Sequence, residues 1–356
     1  MPANDIAITM KIEAVHPVAA LPGADVTLTG EGLGPQGNNV PIVLVGGKQA
    51  RTRMSREHRL VFEVPEEALA NPTGGSDLSV ECADLRSNTV GLNVAEPLAT
   101  DVHAVANPAI DELGNIYTTL SGPRGQKTPV SVIRILPSGD ASSFLNEITN
   151  ATGLAFDPEG YLYVSSRNDG TVYRVSREGA ASLYAEGMGV ATGLAFDAAG
   201  DLYVGDRSGT IFKIARDRQI FVFATLEPSV AAYHLAFGPE GTLYVTAPST
   251  TSNDCIWAVE RDGSTRVFHR GLGRPQGLAF DREGNLYVAA SLHGQRGIVL
   301  ISPNAEPQLV VAGAGIVGLA FRNGGSKDSD EETGLVIATS HTIYHLSGGP
   351  QGLRLY

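Results

Sequence analysis

The chain has 356 residues, 42% of them apolar, with a formal net charge of −12 and a sequence pI near 5.1. That length allows two or three domains and an ample core. The acidic balance weighs against a nucleic-acid groove and against an anionic membrane surface as partners.

No run of about eighteen apolar residues occurs, so no segment reads as membrane-spanning. No charged-then-apolar leader precedes the first strand, which reads as a cytoplasmic chain. A leader removed before Met1 would leave the same sequence and place the protein outside the cytoplasm. The two cysteines, Cys82 and Cys255, fall in different predicted domains and do not suggest a disulfide scaffold. The sequon Asn150-Ala151-Thr152 therefore carries little weight.

Residues 1–10 read as a loose start. Residues 11–95 read as short alternating strands at about ten-residue spacing, the pattern of an immunoglobulin-like β-sandwich. They include K-I-E-A-V-H-P, V-T-L-T-G, V-P-I-V-L-V-G-G, R-L-V-F-E-V-P and S-D-L-S-V-E-C. The order of Pro17, Val26 to Leu33, Val43 to Gly47 with Ala50, Phe62 to Pro65 and Ser87-Asn88 resembles the IPT/TIG domain. Within this unit Gly32 to Gly37 matches G-x-G-x-x-G, but the following segment, Val40 to Val45, is a strand pattern and Pro35 lacks a donor. A dinucleotide site needs a helix there, so the segment reads as a loop between strands. Residues 96–103 read as a linker.

From residue 104 to 356 one sentence recurs. Thr152 to Val164 reads T-G-L-A-F-D-P-E-G-Y-L-Y-V, and related copies begin at Ala106, Thr192, Tyr233, Gln276 and Val317. The residues at the Asp position are 111, 157, 197, 238, 281 and 322, at spacings of 46, 40, 41, 43 and 41. A period near forty with four strand patterns per copy predicts a six-bladed β-propeller, and no copy carries a Trp-Asp ending of the WD type. The ring is expected to close through a terminal strand, either Leu353 to Tyr356 or the segment near Val102. The insertion from Ser326 to Thr333 carries Asp328, Asp330 and Glu332 before Gly334; it lacks the distal Glu of a calcium loop and reads as a solvated loop.

A propeller binds ligands at the mouth of its channel. That mouth is expected to be lined by Ala106, Thr152, Thr192, Tyr233, Gln276 and Val317, which begin the innermost strands. Loops between second and third strands add Arg124, Lys127, Arg167, Asp169, Asp206, Arg207, Asn253, Asp254, His293, Arg296 and His341. The arginines and Lys127 form a candidate ring for an anionic ligand, and solvated loops are the plainer reading. His103, His234, His293 and His341 are a second constellation, with scattered polar loop residues as the plainer reading. No G-x-S-x-G occurs, both cysteines sit in strand patterns, and Trp257 reads as blade core.

The blades resemble the gluconolactonase and regucalcin-like six-bladed propellers and, more loosely, NHL repeats. The resemblance implies a divalent metal held by one Glu, Asn residues and one Asp, polarising a lactone and its attacking water. By position those ligands fall on Ala106, Thr192, Tyr233 and Gln276, and none is retained. No metal or other cofactor is therefore expected; a divalent cation enters only with the lactonase reading.

The chain is thus expected to be an all-β binding or scaffold protein. Its top face would take a small molecule, glycan or protein partner, with Thr152, Thr192, Arg167, Arg207, Asp206, His293 and His341 as candidate contacts. The sandwich would act as spacer or interaction module, with self-association left open. The alternative is a lactonase-like hydrolase or lyase with a rebuilt site at Tyr233, His234 and Gln276.

Overall fold

The computed structural model describes residues 9–68, 75–251, 253–303, 306–323 and 333–354, and among these it contains strands, turns and no helix long and apolar enough to cross a membrane. The chain divides into two compact units, one of Met1–Glu96 with Leu309–Ala314, the other of Pro97–Gln308 with Gly315–Tyr356. The insertion bearing Asp328, Asp330 and Glu332 lies outside the described residues.

In the first unit Lys11–His16, Asp25–Glu31, Arg59–Glu63, Lys48–Arg56, Ile42–Val45, Ser76–Cys82 and Val90–Val94 follow one another as antiparallel neighbours. Alternate residues face one apolar cluster that includes Leu28, Leu60, Phe62, Leu78, Val80 and Leu92. The strand path is continuous where two separate sheets were expected. Lys48–Arg56 is the reason: Ala50 pairs with Val43, while Arg51 pairs with Glu63. Ala19 and Ala20 run parallel to Asn93 and Val94 on one side and to Val311 and Ala312 on the other. The strand Ile42–Val45 follows the Gly32–Gly37 loop, as read from the sequence.

The second unit is a β-propeller. The repeat count predicts six blades; the structure separates five four-stranded sheets. Four are simple up-and-down meanders, spanning Ala109–Leu145, Ala151–Ala185, Ala191–Thr225 and His234–Leu272. The fifth contains Ile316–Arg322, Gly334–Thr339 and Thr342–Ser347, and its edge strand is Glu96–Thr100. The expected linker is therefore largely a strand. Pro97, which has no N–H to give, is tolerated there because the strand is an edge. Around Asp281 three strands, Leu278–Phe280, Leu286–Leu292 and Gln295–Ile301, form an antiparallel meander. Gln308–Ala312 follows Gln295–Ile301 in the strand order, and that sheet carries further strands, so no separate four-stranded sheet is counted there.

Residues 107–110, 154–156, 194–196, 235–237, 278–280 and 319–321 line one cavity of about 300 Å³, so every repeat sends its innermost segment to a common axis. Asn107 ties three of these segments together, donating from Nδ2 to the Leu278 carbonyl (2.9 Å) and accepting at Oδ1 from the Leu319 N–H (3.1 Å). The described part of the tail, through residue 354, does not form a blade strand. Leu353 donates its N–H to the Phe280 carbonyl, Gly352 bonds the Asn323 side chain, and both residues line the channel at its turn face.

The seams between repeats are aromatic. The tyrosine of each L-Y-V strand meets the phenylalanine of the next repeat edge-on: Tyr117 with Phe156 (5.3 Å between centroids), Tyr163 with Phe196 (4.8 Å), Tyr203 with Phe237 (5.0 Å), Tyr244 with Phe280 (4.8 Å) and Tyr287 with Phe321 (5.1 Å). Such edge-to-face pairs add about 0.5–1.5 kcal/mol beyond the area they bury. Between the last and first repeats the corresponding residues are Val336 and Ile110, packed in one aliphatic cluster. A turn Asp fixes the tyrosine's strand in four of these five repeats, the one before Tyr244 having Gly238 instead. Asp157 Oδ1 accepts the N–H groups of Glu159 and Tyr161 (3.0 and 2.9 Å), and Asp197 Oδ1 those of Ala199 and Asp201 (2.9 Å each).

Phe196→Ala removes one ring of a seam and should cost about 3–5 kcal/mol in urea unfolding. A loss below 1 kcal/mol would show that the seams do not hold the ring.

Candidate functional site

At the top face the loops between second and third strands are hooked to the starts of innermost strands. Arg167 N–H donates to the Asn150 carbonyl (3.2 Å), and Arg207 N–H to the Val190 carbonyl (3.3 Å). Asn150 is fully buried at φ 52°, in the left-handed region that Asn tolerates. Its Oδ1 accepts the Gly125 N–H (2.7 Å), and its Nδ2 donates to the carbonyls of Gly122 and Pro123 (2.9 and 3.0 Å). The amide is thus committed to holding the loop that carries Arg124. Sequence reasoning saw Asn150 only as a sequon; its position one repeat-start ahead of Thr152 was the available signal.

This scaffold brings three arginines together. Arg167, half-buried, donates from Nη2 to the Gly122 carbonyl (2.7 Å), while its Nε is buried without a hydrogen-bond partner. Burial, and then the like charges of Arg207 and Arg124, push its pKa below the ordinary arginine value. Arg207 donates from Nη2 to the Val230 carbonyl (2.8 Å). Arg296, further round, is pushed the same way by burial and by Arg274, and its Nη2 reaches Gln276 Oε1 (3.4 Å). None of these arginines has an ion pair with a carboxylate among the described residues.

The nearby aspartates serve their own loops. Asp206 is buried and accepts from the N–H groups of Val190 and Ser208 (3.0 and 3.1 Å) and from the Ser208 hydroxyl. Asp169 accepts from the Thr171 hydroxyl (2.7 Å), and Asp254 accepts from Ser249 and Thr251. Lys127, Asn253 and His293 are exposed.

The inner-strand candidates are sealed in. Thr152 Oγ1 donates to the Asn150 carbonyl (3.0 Å) and Thr192 Oγ1 to the Gly205 carbonyl (2.9 Å), the latter also accepting the Tyr233 N–H (3.0 Å). Tyr233 is fully buried with its hydroxyl on the Glu227 carbonyl, and burial first, then Asp206 and Glu227, raises its pKa to about 12. A hard divalent cation wants carboxylate oxygens with free lone pairs. Ala106, Thr192, Tyr233 and Gln276 offer no carboxylate, and the oxygens they have are already engaged, so this set does not fit the metal that the family resemblance implies. No cluster of three or more His, Cys, Asp or Glu suited to a metal occurs among the described residues.

The histidines divide. His103 and His341, both exposed, approach with ring centroids 6.5 Å apart. His234 is only 2% exposed and its Nε2 is buried without a partner. It stands where the neighbouring repeats have Gly153 and Gly193. There a Cβ would collide with the Thr192 and Tyr233 carbonyls of the next strand. The imidazole therefore occupies the place of a close backbone approach.

Neither a protein-family model nor a curated protein sequence matches the chain. Solved structures share its fold at low identity. An auxiliary nutrient binding protein from Bacteroides ovatus aligns over 96% of this chain and 97% of its own, at 12% identity and a TM-score of 0.53. A putative gluconolactonase aligns over 73% of this chain and 94% of its own, at 17% identity and a TM-score of 0.56. A streptogramin B lyase aligns over 70% and 95%, at 13% identity and a TM-score of 0.53.

Burial lowers the His234 pKa from 6.5 to about 4. The folded chain therefore keeps the ring neutral, whereas the unfolded chain takes up a proton below about pH 6.5. The resulting loss of stability is absent above that pH and grows to about 3 kcal/mol as pH falls to 4. Urea unfolding should show a shallower decline over this window for His234→Gln than for the native chain. Equal slopes would mean that His234 is not held neutral.

Proposed function

We propose that this chain is a binding protein whose propeller takes an anionic ligand at the top face. The observation that carries the reading is Arg167, under the like charges of Arg207 and Arg124 and with no carboxylate partner among the described residues, in a chain of net charge −12. Like charges gathered in a partly buried place raise the free energy of the empty protein, and an anion relieves it. A carboxylate or phosphate on a small molecule, a glycan or a protein partner meets this requirement equally. The nutrient-binding neighbour is consistent with such a role.

The propeller is read as six-bladed, the meander of Leu278–Ile301 being the additional blade. Six innermost segments around one channel, and five aromatic seams with one aliphatic, support this count. Residues 11–95 are read as an immunoglobulin-like sandwich of the IPT/TIG kind, serving as spacer or interaction module. The single apolar cluster inside its strands supports that reading.

A lactonase-like hydrolase or lyase is the competing reading. The neutral, unpartnered imidazole of His234 favours it. Its burial, and the commitment of the Tyr233 hydroxyl to a backbone carbonyl, oppose it.

Citrate serves as a multivalent anionic probe. Calorimetric titration should show saturable binding that weakens with salt and falls at least tenfold in Arg167→Gln, with no hydrolysis of lactones in the presence or absence of calcium, zinc or manganese. Citrate binding that ignores Arg167→Gln would remove the reading, and metal-dependent lactone turnover would replace it with the hydrolase.

A further inference from the structure

The turn face holds a second cavity, of about 510 Å³, within the range of small-molecule sites. Its walls come from the first two repeats, the last repeat and the tail. Arg134 lies in the wall.

The strand register shows what is unusual about Arg134. It pairs across its sheet with Tyr117, as Arg174 does with Tyr163 and Lys213 with Tyr203. In those two repeats the cation is neutralised locally. Arg174 meets Glu159 at 3.0 Å and Asp157 at 3.9 Å; Lys213 meets Asp201 at 2.8 Å. Counting along the D-x-x-G turns, the residues at the positions of Glu159 and Asp201 in the first repeat are Leu113 and Asn115. Both carboxylates are missing, and Arg134 has no ion pair among the described residues.

The remaining acids at the cavity do not supply one. Asp111 is taken up by the Leu113 and Asn115 N–H groups, the Asn115 amide and the Tyr117 hydroxyl. Asp157 accepts from the Glu159 and Tyr161 N–H groups, and Glu112 has no ion pair among the described residues. Arg134 Nε is buried without a hydrogen-bond partner, as Arg174 Nε also is, and the Arg134 guanidinium stands 5.7 Å from the Phe144 ring centre and acts on the Tyr117 hydroxyl. Arg177 and Arg354 add positive charge at the same cavity. Its apolar wall is Ile110, Phe144, Phe156 and Leu113, the last 79% exposed.

We propose that this cavity binds a small organic carboxylate with an apolar, aromatic-sized body. The ligand's carboxylate sits on Arg134 in the place that Glu159 and Asp201 take in the next two repeats, and its body lies against Phe144, Phe156 and Leu113. A planar carboxylate matches the guanidinium fork, and the surrounding rings exclude water from the pair. The site is distinct from the top-face arginines, and its existence does not depend on theirs.

Phenylacetate is the probe, with neutral phenylacetamide as its isostere, titrated by calorimetry. Phenylacetate should bind saturably, and phenylacetamide at least tenfold more weakly. Arg134→Gln should weaken phenylacetate at least tenfold. Leu113→Trp, a substitution at an exposed position that leaves folding intact, should block the cavity and abolish binding. Arg261→Gln, at a surface arginine of another repeat, should leave it unchanged. No saturable binding to the native chain, equal affinity for the amide, or a change below tenfold in Arg134→Gln would each overturn the proposal.

Discussion

The propeller depends on one repeated contact, the edge of a tyrosine from one repeat set against the phenylalanine of the next. A single four-stranded sheet leaves its faces uncovered and gains little by folding alone. The contact between Tyr163 and Phe196, or Tyr203 and Phe237, converts two such sheets into neighbours of a ring. In four of the five aromatic seams a turn Asp supports the contact; the repeat of Tyr244 has Gly238 there. The Asp fixes the path into the L-Y-V strand, and in the first and third repeats it also accepts the tyrosine hydroxyl, at 3.1 and 3.3 Å. Burial, reinforced by these acids, keeps the phenols protonated: Tyr117 and Tyr287 are both pushed up to about 12. The wedge is therefore apolar on its faces and satisfied at its tip.

Once the seams hold, the two ends of the ring become different chemical surfaces. At the top face the loop aspartates fold back on their own backbones, and Arg167 is left under the like charges of Arg207 and Arg124. At the turn face Arg174 and Lys213 are matched inside their own repeats, whereas Arg134 has no ion pair among the described residues. Both places share one logic. A carboxylate that the repeat pattern supplies elsewhere is missing or occupied, and a fixed positive charge is left without its partner. On the proposed reading an acidic chain binds anions, since the local field and not the net charge decides what approaches within a Debye length.

Much of this was legible in the sequence. G-L-A-F, the D-x-x-G turn and L-Y-V are local patterns, so the strands, their turns and their period could be read directly. What failed was whatever depended on distant pairing. Glu96–Thr100 carries Pro97 and no repeat signature, so its role as the edge strand beside Thr342–Ser347 was invisible. The inner-strand candidates Thr152, Thr192 and Tyr233 were placed at the mouth by register, but their side chains turn into the seams and bond backbone there. His234 was noticed as a histidine, whereas its meaning lies in replacing a glycine. The tying roles of Asn107 and Asn150 are not legible in the sequence because an amide that joins separate segments has no local signature. The change from Glu159 and Asp201 to Leu113 and Asn115 was present in the aligned repeats. It gains meaning only when Tyr117 is known to lie opposite Arg134.

The central claim is that unmatched arginines, rather than a metal, define where this propeller takes its ligands. The most direct measurement is anomalous diffraction from crystals soaked in sodium bromide. The account predicts bromide peaks at the guanidinium groups of Arg167 and Arg134, and none at Arg174, whose partner is already in place. Peaks at Arg174 equal to those at Arg134 and Arg167, or none at either of these two, would contradict it.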